Sequence, residues 1–292
     1  MHNIRWDDLQ FIQAVAAHGS LSAAARALGV NHATVLRRIV AVEERIGVAL
    51  FVHPPGGYRA RPEIHEVLAA LDTIEKTVGR LERILPTLGK GLEGPFRVTT
   101  TDSIADLILP RHLRDLARLH PKLAVELVAQ NAPLDMTRPE AEITLRPALR
   151  VPEGLVGEKI CDMSFGAFAH AAYLAQNTVS EVTRHRWLGV SSSLSRSPVG
   201  AWQDTHVSAE VVLKADSFLT LARMAEEGLG IAVLPSFVGR ANASLTPVPW
   251  LELDLRTSIW VAAHPDLAAT SRVRTIMTFF ANAIATDADL LA

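Results

Sequence analysis

The chain changes its pattern of apolar residues at one place, a cluster of Gly and Pro between Gly89 and Pro95. Before this cluster the apolar side chains recur at helical spacing, whereas after it short apolar runs typical of strands alternate with helical segments. The 292 residues suffice for two or three domains. We therefore expect a helical N-terminal part followed by a separate α/β part.

Three short helices are predicted in the first fifty residues. The first covers residues 6–18, and Gly19 follows it as a helix terminator. A second runs from Leu21 to Leu28 with Ser20 as its N-cap, and a third runs to about Ile46 with Asn31 as its N-cap. Two helices joined by a short Gly-containing turn, the second beginning with polar and basic residues, are typical of a helix-turn-helix.

Residues 51–62 predict a β-hairpin with a Pro-Pro-Gly-Gly turn, which beside a recognition helix would be a DNA-binding wing. DNA recognition needs donors at base edges and cations at phosphates. The alternatives are a helical hairpin and a plain turn with solvated arginines. The candidate DNA-binding residues are Ser20, Ser22, His32, Thr34, Arg37, Arg38, Arg59 and Arg61.

A long helix is predicted from Pro62 to about Leu88. Its apolar residues are spaced alternately by four and three positions, which is an a/d seam over three heptads. Such a narrow stripe favours a partner helix, so we expect a dimer. The seam consists of Val67, Leu71, Ile74, Val78, Leu81, Leu85 and Leu88.

Charge and composition exclude several classes of protein. Residues 1–61 carry seven Arg and four acidic side chains, whereas the remainder of the chain is acidic, and the total is −2. A basic head on an acidic body suits a DNA-binding module fused to another domain. The charged first residues do not resemble a signal peptide, no apolar stretch is long enough to span a membrane, and Cys161 has no partner, so we expect a cytoplasmic protein.

Strand and helix alternation after Pro95 predicts an α/β architecture with a mainly parallel sheet. An enzyme or a solute-binding protein built on this α/β part is the alternative reading. We find no nucleophile–base set, nucleotide-binding fingerprint or metal-ligand spacing, so we expect no enzyme, no cofactor and no metal. Cys161 is expected to be a buried small residue rather than a redox sensor.

The order of these parts resembles the LysR-type transcriptional regulators over nearly the whole chain. The resemblance rests on 19–25, 28–30 and 42–51 in the N-terminal part, and on 134–146, 228–235 and 260–267 in the remainder. The sequence departs from the family where His53 stands in place of the usual Arg, at Arg61 near a usual Thr, and at Leu36, where a small Ser is common.

The resemblance implies an N-terminal winged helix-turn-helix, a long linker helix and a periplasmic-binding-protein-like effector domain with two lobes. These would occupy residues 1–62, 63–90 and 91–292. Lobe 1 would comprise 93–157 and 266–292, and lobe 2 would comprise 158–265. The family usually dimerises through the linker helix and often forms tetramers, so the implied partners are operator DNA, a small-molecule effector and further copies of the chain.

The cleft between the implied lobes is where an effector is expected, and an anionic organic molecule suits polar residues at helix N-termini. Thr100, Thr101 and Ser103 begin the first helix of lobe 1, and Arg146 ends a strand near the cleft. Helix capping and a solvated surface loop are the alternatives. The candidate effector-binding residues are Thr100, Thr101, Ser103, Arg146, Ser193, Asp216 and Ser217.

Overall fold

The computed structural model describes residues 5–54, 57–85, 89, 91–132 and 141–292, with the side chains of residues 82 and 83 left out. The chain divides into two compact units, Met1–Leu85 and Pro86–Ala292. This division lies just before the cluster of Gly and Pro at which the sequence pattern changes. Within the described residues, none of the helices has the length and apolar character needed to cross a membrane.

The N-terminal unit is mainly helical, as expected. Local capping interactions set the ends of its helices. Gly19 ends the first helix with a φ of 65°, and the Ser20 hydroxyl caps the start of the second by accepting a hydrogen bond from the Ala23 amide. The Asn31 side chain caps the third helix in the same way. The elements are α1 (Trp6–His18), α2 (Leu21–Ala27), α3 (His32–Ile46), β1 (Phe51–Val52), β2 (Arg59–Ala60), a 3₁₀ turn (Pro62–Ile64) and α4 (His65–Ile84).

The helix α4 begins and ends inside the predicted range of Pro62 to Leu88, and Leu88 itself lies outside the described residues. Leu71 is buried, and Ile74 packs beside it against the core that α1, α2 and α3 form. The side chains of Gln13 and Glu75 add a hydrogen bond between α1 and α4. Part of the predicted seam is therefore already covered within one copy of the chain, which corrects the expectation that the whole seam faces a partner helix.

The C-terminal unit alternates strands and helices. Its elements are β3 (Gly94–Thr100), α5 (Asp102–Leu107), α6 (Leu109–Leu119), β4 (Leu123–Ala129), β5 (Ile143–Ala148), β6 (Val156–His170), α7 (Ala171–Gln176), β7 (Trp187–Val190), α8 (Pro198–His206), β8 (Val211–Ala215), α9 (Phe218–Glu226), β9 (Ile231–Pro235), α10 (Ser236–Ala241), β10 (Leu245–Pro247), β11 (Arg256–Ala263), α11 (Pro265–Ala268), α12 (Ser271–Ala285) and α13 (Ala288–Leu291).

Among the described residues of this unit, the strands form one sheet in the order β4-β3-β5-β11-β6-β9-β7-β8, with β10 also paired to β6. The pairs made by β3 and β7 with their neighbours are parallel, whereas every pair made by β6 and β11 is antiparallel. The sheet is therefore mixed, and the expectation of a mainly parallel sheet is wrong. Sequence alternation identified the βα units but not the antiparallel pairing of β6 and β11.

The 15 residues of β6 connect the two halves of the sheet. Its first part pairs with β11, and its last residues pair with β9 and β10. Because β11 also pairs with β5, residues 256–263 belong with the strands of the first half. This pairing differs from the predicted lobe limits, which placed 158–265 in lobe 2.

Two helical segments differ from their expected form. The spacing of apolar residues after β3 predicts a single helix from Ile104 to Leu119, but the helix is divided at Ile108, two residues before Pro110, because proline cannot supply the amide that a continuous helix requires. The Ser-rich segment near Ser193 is a 3₁₀ helix, Ser192–Arg196, and α8 follows it directly.

The sheet and the helices of the C-terminal unit enclose a core of large apolar side chains that includes Phe96, Trp187, Phe237 and Phe280. Arg272, on α12, is buried beside this core and stacks on Phe96 at 5.3 Å. Its guanidinium donates hydrogen bonds to the main-chain oxygens of Glu93 and Pro95, both at 2.5 Å. This arginine therefore ties α12 to the start of β3.

Candidate functional site

The start of α3 presents an exposed surface. His32 and Arg37 are exposed there, while Val35 and Ile39 on the opposite side of the helix are buried. Within the described residues the Arg37 guanidinium makes no hydrogen bond or ion pair. Arg37 is therefore free to contact an external group.

Two of the candidate hydroxyls on this surface already have partners. The Ser20 hydroxyl caps α2 through the Ala23 amide at 3.2 Å, and the Thr34 hydroxyl donates to the Asn31 side chain at 2.9 Å. Ser22 is exposed. The Ser20 hydroxyl is therefore used to cap α2 and the Thr34 hydroxyl is bonded to the cap residue of α3, whereas Ser22 remains open to an external contact.

The Arg38 side chain extends from α3 to α1. Its guanidinium pairs with the buried Asp8 at 2.7 Å and stacks on Phe11 at 5.6 Å, and Arg45 pairs with the same carboxylate at 3.2 Å. Burial opposes ionisation of Asp8, but these two arginines outweigh it and hold the pKa of the carboxyl below its ordinary value. Arg38 therefore holds the two helices together.

The hairpin β1–β2 pairs Phe51 with Ala60 in antiparallel register, and Pro55 and Gly56 of its predicted turn lie outside the described residues. Gly57 passes so close to the end of α1 that an added Cβ would lie 2.3 Å from the Gly19 oxygen, so this position requires glycine. Arg59 is exposed, while Arg61 is partly buried and its Nε has no partner among the described residues. Arg59 is therefore the better placed of the two to contact an external group.

A cavity of about 630 Å³ lies in the C-terminal unit beside the carboxyl ends of β3 and β5. These two strands are parallel neighbours, so the residues that follow them meet at one edge of the sheet. The predicted residues Thr101, Ser103, Arg146 and Ser193 line it. The cavity has the size of a site for a small organic molecule.

Thr101 stands at the N-cap position of α5, but its hydroxyl makes no capping hydrogen bond. The hydroxyls of Thr100 and Thr101 are both buried and without a partner among the described residues. Thr100 is completely buried and does not line the cavity, whereas Thr101 does. The capping alternative thus does not apply to Thr101, whose hydroxyl has a hydrogen bond still to make.

Arg146 is buried, and its guanidinium donates to the main-chain oxygens of Ala132 at 2.7 Å and Gln130 at 2.9 Å. Burial lowers its pKa to about 10, so the side chain stays charged at neutral pH. Two of its nitrogens are therefore committed to the chain that follows β4. Arg146 contributes charge to the cavity and also positions the segment around Asn131.

Asn131 is a residue that the sequence analysis did not single out. Its side-chain oxygen accepts from the Asp102 amide at 3.3 Å, and its side-chain nitrogen donates to the Asp216 main-chain oxygen at 2.9 Å. Asn131, which lines the cavity, therefore links the start of α5 to the start of α9. Its position just after β4, a strand parallel to β3, is the signal that would have identified it.

Asp216 and Ser217, unlike Ser193, do not line the larger cavity. The Ser217 hydroxyl caps α9 through the Thr220 amide at 3.1 Å, which is the capping alternative. Asp216 lines a neighbouring cavity of about 440 Å³ together with Ser193 and Asn131. Neither Asp216 nor Ser217 lines the larger cavity, so the structure brings them to its edge only.

The sequence analysis also missed most of the cavity wall. Met163, Phe165 and Phe218 provide apolar surface, and Arg150 and Arg196 are exposed cations at its lining. Among the described residues of this lining, three arginines and one glutamate carry formal charges. Such a cavity suits a molecule with an apolar body and a negative group.

Cys161 is buried, and burial raises the pKa of its thiol to about 11. A thiol of this kind is not a reactive thiolate at neutral pH. In the parts of the chain that the structure describes, no group of His, Cys, Asp and Glu has an arrangement that could hold a metal ion.

Comparison with known protein families assigns both parts of the chain. Residues 6–62 match "Bacterial regulatory helix-turn-helix protein, lysR family", and residues 89–285 match "LysR substrate binding domain".

Curated relatives extend over most of the chain. The Mau operon transcriptional activator of Paracoccus denitrificans is 24% identical over 289 residues, which cover 98% of this chain and 100% of that protein. The regulator TrpI of Pseudomonas aeruginosa is 27% identical over 88% of this chain and 90% of that protein. Both similar proteins are named as transcriptional regulators.

Solved structures share the fold. CrgA, a LysR-type regulator from Neisseria meningitidis, aligns with a TM-score of 0.56 and 20% identity over 96% of this chain and 99% of that chain. AphB of Vibrio cholerae, a virulence activator, aligns with a TM-score of 0.55 and 18% identity over 94% and 98% of the two chains. Because the family match covers most of the residues and both units, the chain belongs to the LysR family of DNA-binding transcriptional regulators, with a helix-turn-helix and an effector-binding substrate domain.

Proposed function

We propose that α3 reads the major groove of operator DNA with Arg37 as its main contact. The observation that supports this role is an exposed guanidinium with no partner among the described residues, near the start of the helix. His32 and Ser22 are exposed close by, and Arg59 offers a cation on the hairpin. We include Arg61 as a weaker phosphate contact because it is partly buried. Ser20, Thr34 and Arg38 instead hold the helices in place.

We propose that the larger cavity binds a small organic acid with an apolar body. Among the described residues, three arginines against one glutamate at the lining favour an anion, and the Thr101 hydroxyl offers an unused hydrogen bond. The side chains of Phe165 and Phe218 favour an apolar portion of the ligand, because burying it removes apolar surface from water. Asp216 would repel an anion, and it lies outside this lining.

The Asn131 contact suggests how such a ligand would act. Asn131 lines the cavity while its side chain joins residues on both sides of it. A ligand that replaces either hydrogen bond of Asn131 would break the connection between the starts of α5 and α9. It would then bind with different affinity to a conformation that has this connection and to one that lacks it. Only such a difference in affinity between arrangements can shift their populations.

The ligand class is testable without knowing the natural effector. We would measure the thermal unfolding of the full chain with matched pairs of small aromatic or aliphatic carboxylic acids and their primary amides. The acids should raise Tm in a saturable manner and the amides should not, because only the acids carry the charge that the arginines bind. Equal shifts by acid and amide would contradict an anion site.

Thr101→Val tests the binding residue itself, since valine keeps the shape and removes the hydroxyl. Calorimetry with the best acid should show a loss of about 0.5–1.5 kcal/mol in binding free energy, the value of one hydrogen bond. Thr205→Val is the control, because the Thr205 hydroxyl donates to the Ala201 oxygen on the exposed side of α8. Unchanged acid affinity in Thr101→Val would remove Thr101 from the site.

We also propose that the protein acts in the cytoplasm, where its DNA partner is found, as a homodimer joined through α4. The support for the dimer is the exposure of Leu81 and Leu85, half or more of whose surface is open to water. A tetramer would consist of two such dimers. The proposed role is regulation through DNA and ligand binding, with no chemical step.

A further inference from the structure

An apolar strip runs along the exposed side of α3. Leu36 is 37% exposed and Val40 is 40% exposed, and the two residues are one helical turn apart. The buried face of the helix is formed instead by Val35, Ile39 and Val42. Leu36 and Val40 therefore do not belong to the core of the unit, whose packing is complete without them.

The surroundings of Leu36 are polar and cationic. His32 lies one turn before it on the same side, and Arg37 follows it directly. The Arg37 guanidinium has no acidic partner within the described residues. Leaving the Leu36 side chain exposed to water is unfavourable. Together with Arg37, which has no acidic partner among the described residues, it suits a partner that offers an apolar group beside negative charge.

Double-stranded DNA offers this combination in its major groove. The thymine C5-methyl is the apolar group on the base edges there, and phosphates and guanine acceptors supply partners for arginine. Residues near the start of a recognition helix reach base edges, and Leu36 is the fifth residue of α3. Leucine cannot hydrogen-bond a base or a phosphate, so the thymine methyl is the group on the base edges that matches its side chain.

We propose that Leu36 is a specificity-determining residue that packs on the methyl group of a thymine in the operator. The proposal rests on the proposed entry of α3 into the major groove. The proposed partner of the strip is thus a T·A base pair of the operator, rather than a second copy of the chain or another protein.

Deoxyuridine tests this contact because it differs from thymidine by the methyl group alone. Binding sites would first be selected from a random DNA library with the full-length protein. Each thymine of the selected site would then be replaced in turn by deoxyuridine, and affinity measured by fluorescence anisotropy. At one thymine of each half-site the wild-type protein should lose about fourfold in affinity, the value of one buried methyl group.

Leu36→Ser assigns the effect to this side chain. The variant should bind the thymine and deoxyuridine sites equally. Val48→Ser is the matched control, because Val48 is an exposed valine that follows α3 and lies outside the strip, and this variant should keep the fourfold difference. Circular dichroism melting would verify that both variants fold.

The possible results separate the inference from the function on which it rests. Failure to select any DNA sequence would contradict the proposed DNA reading by α3 and, with it, the role of Leu36. Selection of a site whose deoxyuridine forms all bind as tightly as the thymine form would overturn the inference alone. A fourfold loss that persists in Leu36→Ser would assign the methyl contact to another residue. A change of oligomeric state in Leu36→Ser without DNA would instead show that the strip binds protein.

Discussion

Asp8 is a buried carboxylate that joins α1 to α3 through Arg38 and Arg45. Its pKa lies below the ordinary value of 3.8 because the two arginines outweigh the effect of burial. A lowered pKa in the folded state stabilises the fold at pH values above 3.8, and this stabilisation is lost as the pH falls through the folded-state pKa.

We therefore expect Asp8→Asn to lower the free energy of unfolding of the N-terminal unit by about 1–3 kcal/mol at neutral pH. The difference from wild type should shrink as the pH falls below 3.8. Asp7→Asn is the control, because Asp7 is exposed and its ion pair with Arg5 is 3.6 Å long. Calorimetric unfolding at several pH values would measure both, and equal stability of the two variants would contradict the role of Asp8.

The Cys161 thiol should be inert in the native protein. With a pKa of about 11, only about one thiol in a thousand is ionised at pH 8, and the side chain is also buried. Reaction with an aromatic disulfide that releases a coloured thiol should be slow in buffer. The same reaction in denaturant is the control and should be rapid. Rapid labelling of the folded chain would show that the cysteine is accessible and would reopen a redox role.

Several site residues were recognisable from the sequence because they lie at or near the end of a strand. Thr101 and Ser103 follow β3, Arg146 lies in the second half of β5, and all three line the cavity. Phe165 and Met163 were not recognisable, because they lie on β6, where a long apolar strand gives no sign of which residues border a cavity. Hydrogen-bond partners were also beyond the sequence: the helical pattern places Arg38 at the edge of the exposed side of α3, but it does not show that Arg38 pairs with Asp8.

At the scale of elements, α4 carries two kinds of seam residue. Leu71 is 4% exposed and belongs to the core of its own unit, whereas Leu81 is 50% exposed and Leu85 is 58% exposed. The heptad pattern could not separate them, because an a/d residue that packs on α1 has the same spacing as one that packs on a partner helix. The two groups should respond differently to substitution.

Leu81→Lys together with Leu85→Lys should yield monomers with an unchanged melting temperature of the N-terminal unit. Leu71→Lys should instead unfold or strongly destabilise that unit, because it places a charge in its core. Thr77→Lys is the control, since Thr77 is exposed on the same helix outside the seam. Light scattering and calorimetry would test these expectations, and a dimer that survives the double substitution would exclude this part of α4 as the interface.

Local sequence signals predicted the short helices but not the pairing of the long strands. The caps Ser20 and Asn31 and the terminator Gly19 gave the positions of α1, α2 and α3, because the signals for these short helices are local. The first half of β6 and the antiparallel pairing of β11 were not predicted. Both depend on contacts between residues about a hundred positions apart in the chain, such as Met163 with Thr257, and local propensity does not report them.

At the scale of the whole molecule, the sequence predicted two parts with different tasks, and the family match assigns both. The N-terminal unit presents a helix with an exposed arginine that has no partner in the described part of the chain, and the C-terminal unit holds a cavity lined by arginines and apolar side chains. The domain limits at residues 62 and 90, and the assignment of individual residues to DNA and effector, remain predictions. The DNA-binding assignments all require that the surface of α3 binds a specific DNA sequence.

The affinity of the full-length protein for its selected DNA site, compared with that of Arg37→Ala over a range of salt concentrations, tests this requirement most directly. The thermal shift with organic acids serves as a check that the C-terminal unit of the variant is intact. Our account predicts that Arg37→Ala loses about 1–3 kcal/mol of binding free energy, or about fivefold to 150-fold in affinity, with the acid response preserved. Equal affinity and an equal salt dependence for the two proteins would contradict it.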